Sequence, residues 1–268
     1  MIKQGDRVLQ RAEECRDTGL FDLAVEAYQE AAALFKEDQS FDRQADAFTS
    51  LGKMYEQLLS DYHKALEAHQ QSLRLRQMYG LKQLSDEYYK VAEQQNHLGM
   101  IAEARDNLER AKHSAKREGR QRTLGKTLIL LGDILVEEGY LDEAEEHLRT
   151  ALELVTDAGD DYMISKVQAS IGLLLACRNR YDEALKACEN ALEHARRISD
   201  EGAMGTAHLR LGQTLWLSSD FSKAKDHLQK ALEMAQRANV KIMQQTALDW
   251  LERCSSAGAS PPAPEEKN

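Results

Sequence analysis

Six alanines, Ala24, Ala65, Ala104, Ala144, Ala184 and Ala224, follow one another at intervals of 41, 39, 40, 40 and 40 residues. Three positions before each stands a large apolar or aromatic residue: Phe21, Tyr62, Ile101, Leu141, Tyr181 and Phe221. A period of this length means that one supersecondary unit is copied along the chain, and each copy packs only against its neighbours. Other positions fall into the same register. Twelve residues before the alanine lie Gly132, Gly172 and Gly212, with Ala12 and Ala92 in the same place and Gly52 one residue further back. Four after it come Tyr28, His69, Leu108, Leu148, Cys188 and Leu228, and seven after it Ala31, Ser72, Ala111, Ala151, Ala191 and Ala231. Small residues recur where two helices approach closely, and large ones where the gap between them is filled. The unit is therefore a helical hairpin.

Apolar positions at plus 4, 7 and 8 from the alanine, as in Ala144, Leu148, Ala151 and Leu152, form the stripe of an amphipathic helix. The spacing predicts hairpins at 3–37, 41–78, 83–118, 121–157, 161–198 and 201–237. Turns are expected at Asp17 to Gly19, Gly80, Gly99, Gly119, Gly139, Asp157 to Asp161, Ser199 and Asp200, while the three prolines all fall after Ser260. Beyond the sixth hairpin, 240–254 reads as a lone helix capping the exposed core, with Ile242, Met243, Ala247, Leu248 and Leu251 on one face. Residues 255–268, rich in serine, alanine and proline, are expected to be disordered. The first hairpin starts without a cap, which leaves self-association through that end as a possible role.

The pattern Leu131-Gly132, Leu141, Ala144, Leu148 and Ala151, repeated as Leu211-Gly212, Phe221, Ala224, Leu228 and Ala231, resembles the tetratricopeptide repeat. The resemblance covers residues 1–254 and implies an all-α fold: a right-handed superhelix of about six hairpins plus a C-terminal capping helix. The unit is near 40 residues where the common repeat has 34. In that length it is similar to the extended repeats of the Pins/LGN, rapsyn and Tonsoku-like scaffolds.

Proteins of this family bind partners in a concave groove lined by the first helix of each repeat. Transferred to this chain, the groove positions are Asp46, Thr49, Lys53 and Glu56, then Asp86, Tyr89, Glu93 and Asn96. They continue with Lys126, Ile129, Asp133 and Val136, then Lys166, Ala169, Leu173 and Ala176, and finally Leu209, Gln213 and Trp216. The N-terminal half of this set is polar, whereas the C-terminal half is more apolar and edged by Lys126, Lys166 and Arg210. The resemblance implies a non-catalytic scaffold or adaptor binding a peptide or helix that carries apolar and acidic residues, with Tyr89 and Trp216 as anchors. Trp216 packing against the next repeat is the competing expectation. A homotypic assembly module and a peptide-responsive sensor are the alternative roles. A clamp for the acidic chaperone tail is disfavoured, because Leu9, Glu13, Thr49, Lys53, Tyr89 and Glu93 occupy its positions and only Lys53 suits it.

Chemistry-bearing patterns are sparse. The eight histidines show no metal-binding or catalytic spacing, and the recurring glycines are single and mid-helix rather than grouped in a phosphate loop. Neither an enzyme nor a cofactor is expected. Cys15, Cys177, Cys188 and Cys254 lack a disulfide framework, and Met1 opens directly into polar residues, which together suggest a cytoplasmic location. The net charge of −10 opposes nucleic acid as a direct partner, and no apolar run suits membrane insertion. One basic cluster, Lys112, Lys116, Arg117, Arg120 and Arg122, sits at a predicted helix end, where cations favour the macrodipole.

Overall fold

The structure is a computed structural model that describes residues 4–257. Among these residues the protein is all α, a series of helices joined by short turns. The helices are α1 (Gln4–Asp17), α2 (Phe21–Glu37), α3 (Phe41–Met54), α4 (Tyr62–Met78), α5 (Leu84–His97), α6 (Ile101–Glu118) and α7 (Gln121–Glu138). They continue as α8 (Leu141–Asp157), α9 (Asp161–Cys177), α10 (Tyr181–Arg197), α11 (Glu201–Leu217), α12 (Phe221–Arg237) and α13 (Lys241–Ala257). The chain divides into two compact units, Met1–Thr127 and Leu128–Asn268.

The small-against-large register of the sequence has a direct structural counterpart. A Cβ placed on Gly132 would stand 2.6 Å from Leu148, and one on Gly212 would stand 2.6 Å from Leu228. On Gly172 it would meet the Cys188 sulfur at 2.2 Å, and on Gly52 the His69 ring at 2.6 Å. A methyl group at any of these four positions would force the facing side chain to shift, so glycine permits the close approach seen there. The alanines that mark the period, from Ala24 to Ala224, are all 0% exposed.

Turns also keep time with the repeat. A left-handed residue ends nearly every helix: Gly19, Gln39, Ser60, Gly80, Gly99, Gly119, Gly139, Gly159, Asn179, Ser199, Ser219 and Asn239. They fall about every 20 residues, half the repeat. The glycine turns were legible in the sequence, whereas Gln39, Asn179, Ser219 and Asn239 were not, since these side chains adopt the conformation without requiring it. Asp61, Asp160, Asp200 and Asp220 accept hydrogen bonds from the backbone N–H three residues on, capping α4, α9, α11 and α12.

One irregularity of the ladder has a physical cause. The interval of 41 before Ala65 contains one residue more than the usual 40, and Gly52 is displaced accordingly. The extra residue is absorbed at the end of α3, where Tyr55–Leu59 form a π-helical turn.

In the second unit α13 closes the array with most of the expected face, Met243, Ala247 and Leu251, while Leu248 turns outward and Trp250 and Cys254 turn in. Ala247, Met243, Trp250, Leu251 and Cys254 join Leu209, Leu215, Leu228 and Leu232, whereas Leu248 is 47% exposed. The helix also runs past its expected end at 254, and there the Ser255 and Ser256 hydroxyls donate back to the carbonyls of Leu251 and Glu252. The remainder of the expected disordered tail, 258–268, lies outside the described residues.

Candidate functional site

In the first unit, the residues expected to line a groove are tied to one another. Arg76 on α4 is 1% exposed and spends its guanidinium on protein groups. Its Nη2 donates to Asp46 Oδ1 at 2.7 Å, its Nη1 to the Lys82 carbonyl at 2.7 Å and its Nε to Ser72 Oγ at 3.3 Å. Glu87 on α5, also 1% exposed, accepts from Thr49 Oγ1 at 2.5 Å and from His69 Nδ1 at 3.3 Å, and lies 3.7 Å from Arg76 Nε. Burial alone pushes the Glu87 carboxyl up; hydrogen bonding and charge from His69, with Thr49 and Arg76, outweigh it and hold the group below its usual range.

A second cluster adjoins it in sequence. Lys90 Nζ bridges Glu56 at 3.2 Å and Glu93 at 2.7 Å, and Tyr89 donates from its hydroxyl to Glu93 at 2.7 Å. Burial lowers the Lys90 pKa and the two carboxylates raise it further, so the ammonium stays charged. Lys126 Nζ stands 5.7 Å from the centre of the Tyr89 ring. Asp86 pairs with Arg120 and Thr123, which withdraws Arg120 from the basic cluster seen in the sequence. Lys53 is exposed and Asn96 half-buried.

The second unit is arranged differently. Ile129 and Val136 on α7, Ala169, Leu173 and Ala176 on α9 and Leu209 on α11 are all buried and serve mainly as packing. Arg210 on α11 donates to Gln213 Oε1 at 3.0 Å, while the nearest carboxylate oxygen, Asp133 Oδ1, is 3.8 Å away, too long for a hydrogen bond. The Arg210 Nε is buried with no acceptor among the described residues. Burial raises the Glu137 carboxyl above its usual range, Arg210 opposes this, and Asp133 adds to it. Lys166 lies over the Tyr162 ring at 5.7 Å.

Trp216, half-buried, packs against the closing helix. Its ring meets Trp250 of α13 edge-on at 5.3 Å and Phe221 at 6.2 Å, and its buried Nε1 has no acceptor among the described residues. The Glu87–Arg76 network was not legible in the sequence. Its only signal was His69 at a position where other repeats carry a tyrosine, leucine or cysteine.

Family models of the tetratricopeptide repeat match residues 164–237 and 127–162. Residues 127–237 carry tetratricopeptide repeats. The fold of the chain is similar to that of NprR solved with its cognate peptide NprX, at 15% identity and a TM-score of 0.69 over 96% of this chain and 78% of that one. A Rap protein complexed with Competence and Sporulation Factor gives a TM-score of 0.64 at 14% identity, covering 98% of this chain and 78% of that one. A tetratricopeptide-repeat protein from Parabacteroides merdae gives 0.62 at 13% identity, covering 95% and 93%. A search of curated proteins found no match to this chain. Among the described residues, no group of three or more His, Cys, Asp or Glu side chains could hold a metal ion, and no helix is long and apolar enough to cross a membrane.

Proposed function

We propose that the protein is a non-catalytic interaction scaffold that holds a peptide or helical segment of a partner on the Arg210 face of α11. The observation carrying this reading is the buried Arg210 Nε without an acceptor. A buried N–H left unpaired costs about 1–3 kcal/mol, so the protein does not fully satisfy this guanidinium, and its partly exposed end remains open to a carboxylate or peptide carbonyl of a ligand. Lys166 on α9 and the half-filled hydrogen bonding of Gln213 supply further polar contacts for such a segment. The N-terminal groove positions Asp46, Thr49, Asp86 and Glu93 contribute less, since their side chains already have protein partners. The similarity in fold to NprR, solved with a peptide, favours a peptide ligand and keeps a peptide-responsive role as the second reading. The likeness to Pins/LGN-type scaffolds rests on repeat length alone.

Peptide-display selection against the wild type and Arg210→Glu tests this. Enriched sequences should contain an acidic residue, and the folded variant should bind them at least about tenfold more weakly, although the added carboxylate beside Asp133 and Glu137 lowers its melting temperature. Equal binding by wild type and variant would remove Arg210 from the site.

A further inference from the structure

On the other side of α11 the second unit holds a cleft of about 630 Å³ between α10 and α12. At 100° per residue, His208, Leu211 and Leu215 point away from Arg210 and Gln213, so this cleft is separate from the peptide face. Leucines form its floor: Leu185 and Leu192 from α10 with Leu211 and Leu215 from α11. The same furrow occurs in the first unit between α2 and α4, in the same repeat register, with Phe48 and Tyr55 where His208 and Leu215 stand. There it measures about 280 Å³. Smaller side chains on α11 have therefore opened a space within the range of small-molecule sites, roughly 300–1,000 Å³.

The opening is not merely apolar. His208, 4% exposed, faces His227 with the two Nδ1 atoms 3.0 Å apart. One ring donates and the other accepts, which leaves an Nε2 on each ring outside that bond. Charges around the pair are uneven. Glu193 is taken up by Arg197 at 2.6 Å, and Lys223 by Asp220 at 2.8 Å. Among the described residues Arg196 and Lys230 have no ion-pair partner, and the remaining carboxylate lining the cleft is Glu189. Burial above all, with smaller contributions from His227, Lys230 and Arg196, holds the His208 imidazole down to a pKa of about 4, so that ring is uncharged near neutrality; positive potential in the cleft comes from the unpaired Arg196 and Lys230. A metal cation is disfavoured by that potential, whereas an anion relieves it.

We propose that this cleft binds a small amphipathic carboxylate, its apolar chain on the leucine floor and its head group between the histidine pair, Arg196 and Lys230. The carboxylate oxygens accept from the imidazole N–H, the guanidinium and the ammonium, and the extent of the leucine floor suits an alkyl chain of medium length. Cleft volume, a buried polar pair and two unpaired cations converge on this one chemistry.

The test is a titration of the full chain, labelled at histidine, with octanoate as the probe, followed by the imidazole carbon-bound proton resonances of His208 and His227. Saturable shifts of both rings with a dissociation constant of about 1 mM or below are expected. The double reversal Arg196→Glu with Lys230→Glu should weaken binding about tenfold or more. Should that protein fail to fold, Lys230→Gln serves in its place, with a smaller loss expected. Arg210→Glu should leave octanoate binding unchanged, which separates this site from the peptide face. No shift up to about 10 mM octanoate, equal shifts with octyltrimethylammonium, or undiminished binding by a folded Lys230→Gln protein would overturn the proposal.

Discussion

The two units are built from the same repeat, yet they treat charge in opposite ways. In residues 1–127, the faces of α3, α4 and α5 are locked by Arg76, Glu87, His69 and Asp46, and by Lys90 with Glu56 and Glu93. In residues 128–257, the equivalent helices pack through leucine, isoleucine and alanine, and their cations Arg210, Arg196 and Lys230 keep unused hydrogen-bonding capacity. A buried ion pair is costly to assemble but more costly to break, so it specifies one arrangement without leaving groups for a ligand. An apolar core carrying a few under-satisfied cations does the reverse. The contrast teaches that, in a repeat protein, stability and recognition can be assigned to different copies of one unit.

The sharpest way to break this comparison is to remove Glu87. Glu87→Ala leaves Arg76 and His69 buried beside an empty site, and the cost should be about 3–5 kcal/mol. Hydrogen exchange should show the loss concentrated in the amides of α3 to α5. A cost below about 1 kcal/mol would mean that the network is incidental.

Acid should separate the units next. The folded pKa of His208 lies near 4, below its ordinary value of 6.5, so the unfolded chain binds more protons between those values. Stability from this group is complete above pH 6.5 and is lost as the pH falls toward 4, by at most about 3 kcal/mol. Glu87, whose folded pKa is lowered from 4.5, keeps its contribution down to that value and loses it only below. Unfolding between pH 6.5 and 4, followed by exchange, should therefore weaken α11 and α12 before α4 and α5. His208→Gln should flatten the dependence in that window; an unchanged slope would refute the assignment to His208.

The smallest effect concerns the glycines at the hairpin crossings. Gly52→Ala drives a methyl group into His69, a ring tied to Glu87, whereas Gly212→Ala meets chiefly the Leu228 side chain, which no hydrogen bond holds, with the Ala224 carbonyl oxygen at 3.2 Å. Overpacking of this kind costs about 1–3 kcal/mol, partly offset by the roughly 1 kcal/mol that alanine gains over glycine in a helix. Denaturant midpoints should fall further for Gly52→Ala than for Gly212→Ala, and equal losses would show that His69 is not held.

Much of the architecture was legible because it repeats. The interval between alanines fixed the hairpin, the glycine-to-large pairing fixed where helices touch, and the displaced Gly52 marked the place where a π-helical turn absorbs an extra residue. The candidate groove was legible only as a set of positions. For Asp46 and Thr49 nothing local revealed that they are already bonded, because their partners Arg76 and Glu87 come from other helices, whereas Tyr89 and Glu93 pair within α5 at a spacing of four residues. Trp216 could not be assigned from its repeat, since its neighbour Trp250 belongs to α13, which has no counterpart in the period.

By itself, then, the sequence determined what is periodic: an all-α repeat, the helices and their crossings, the capping helix and the glycine turns. Only the tertiary structure decided which charges are buried together and which are left over. Helical periodicity places a residue on a face, but the fate of a charge depends on groups that meet it across a helix contact. Arg76, Glu87 and Asp46 lie 11 to 41 residues apart, as do His208 and His227 at 19, and such meetings are fixed by packing.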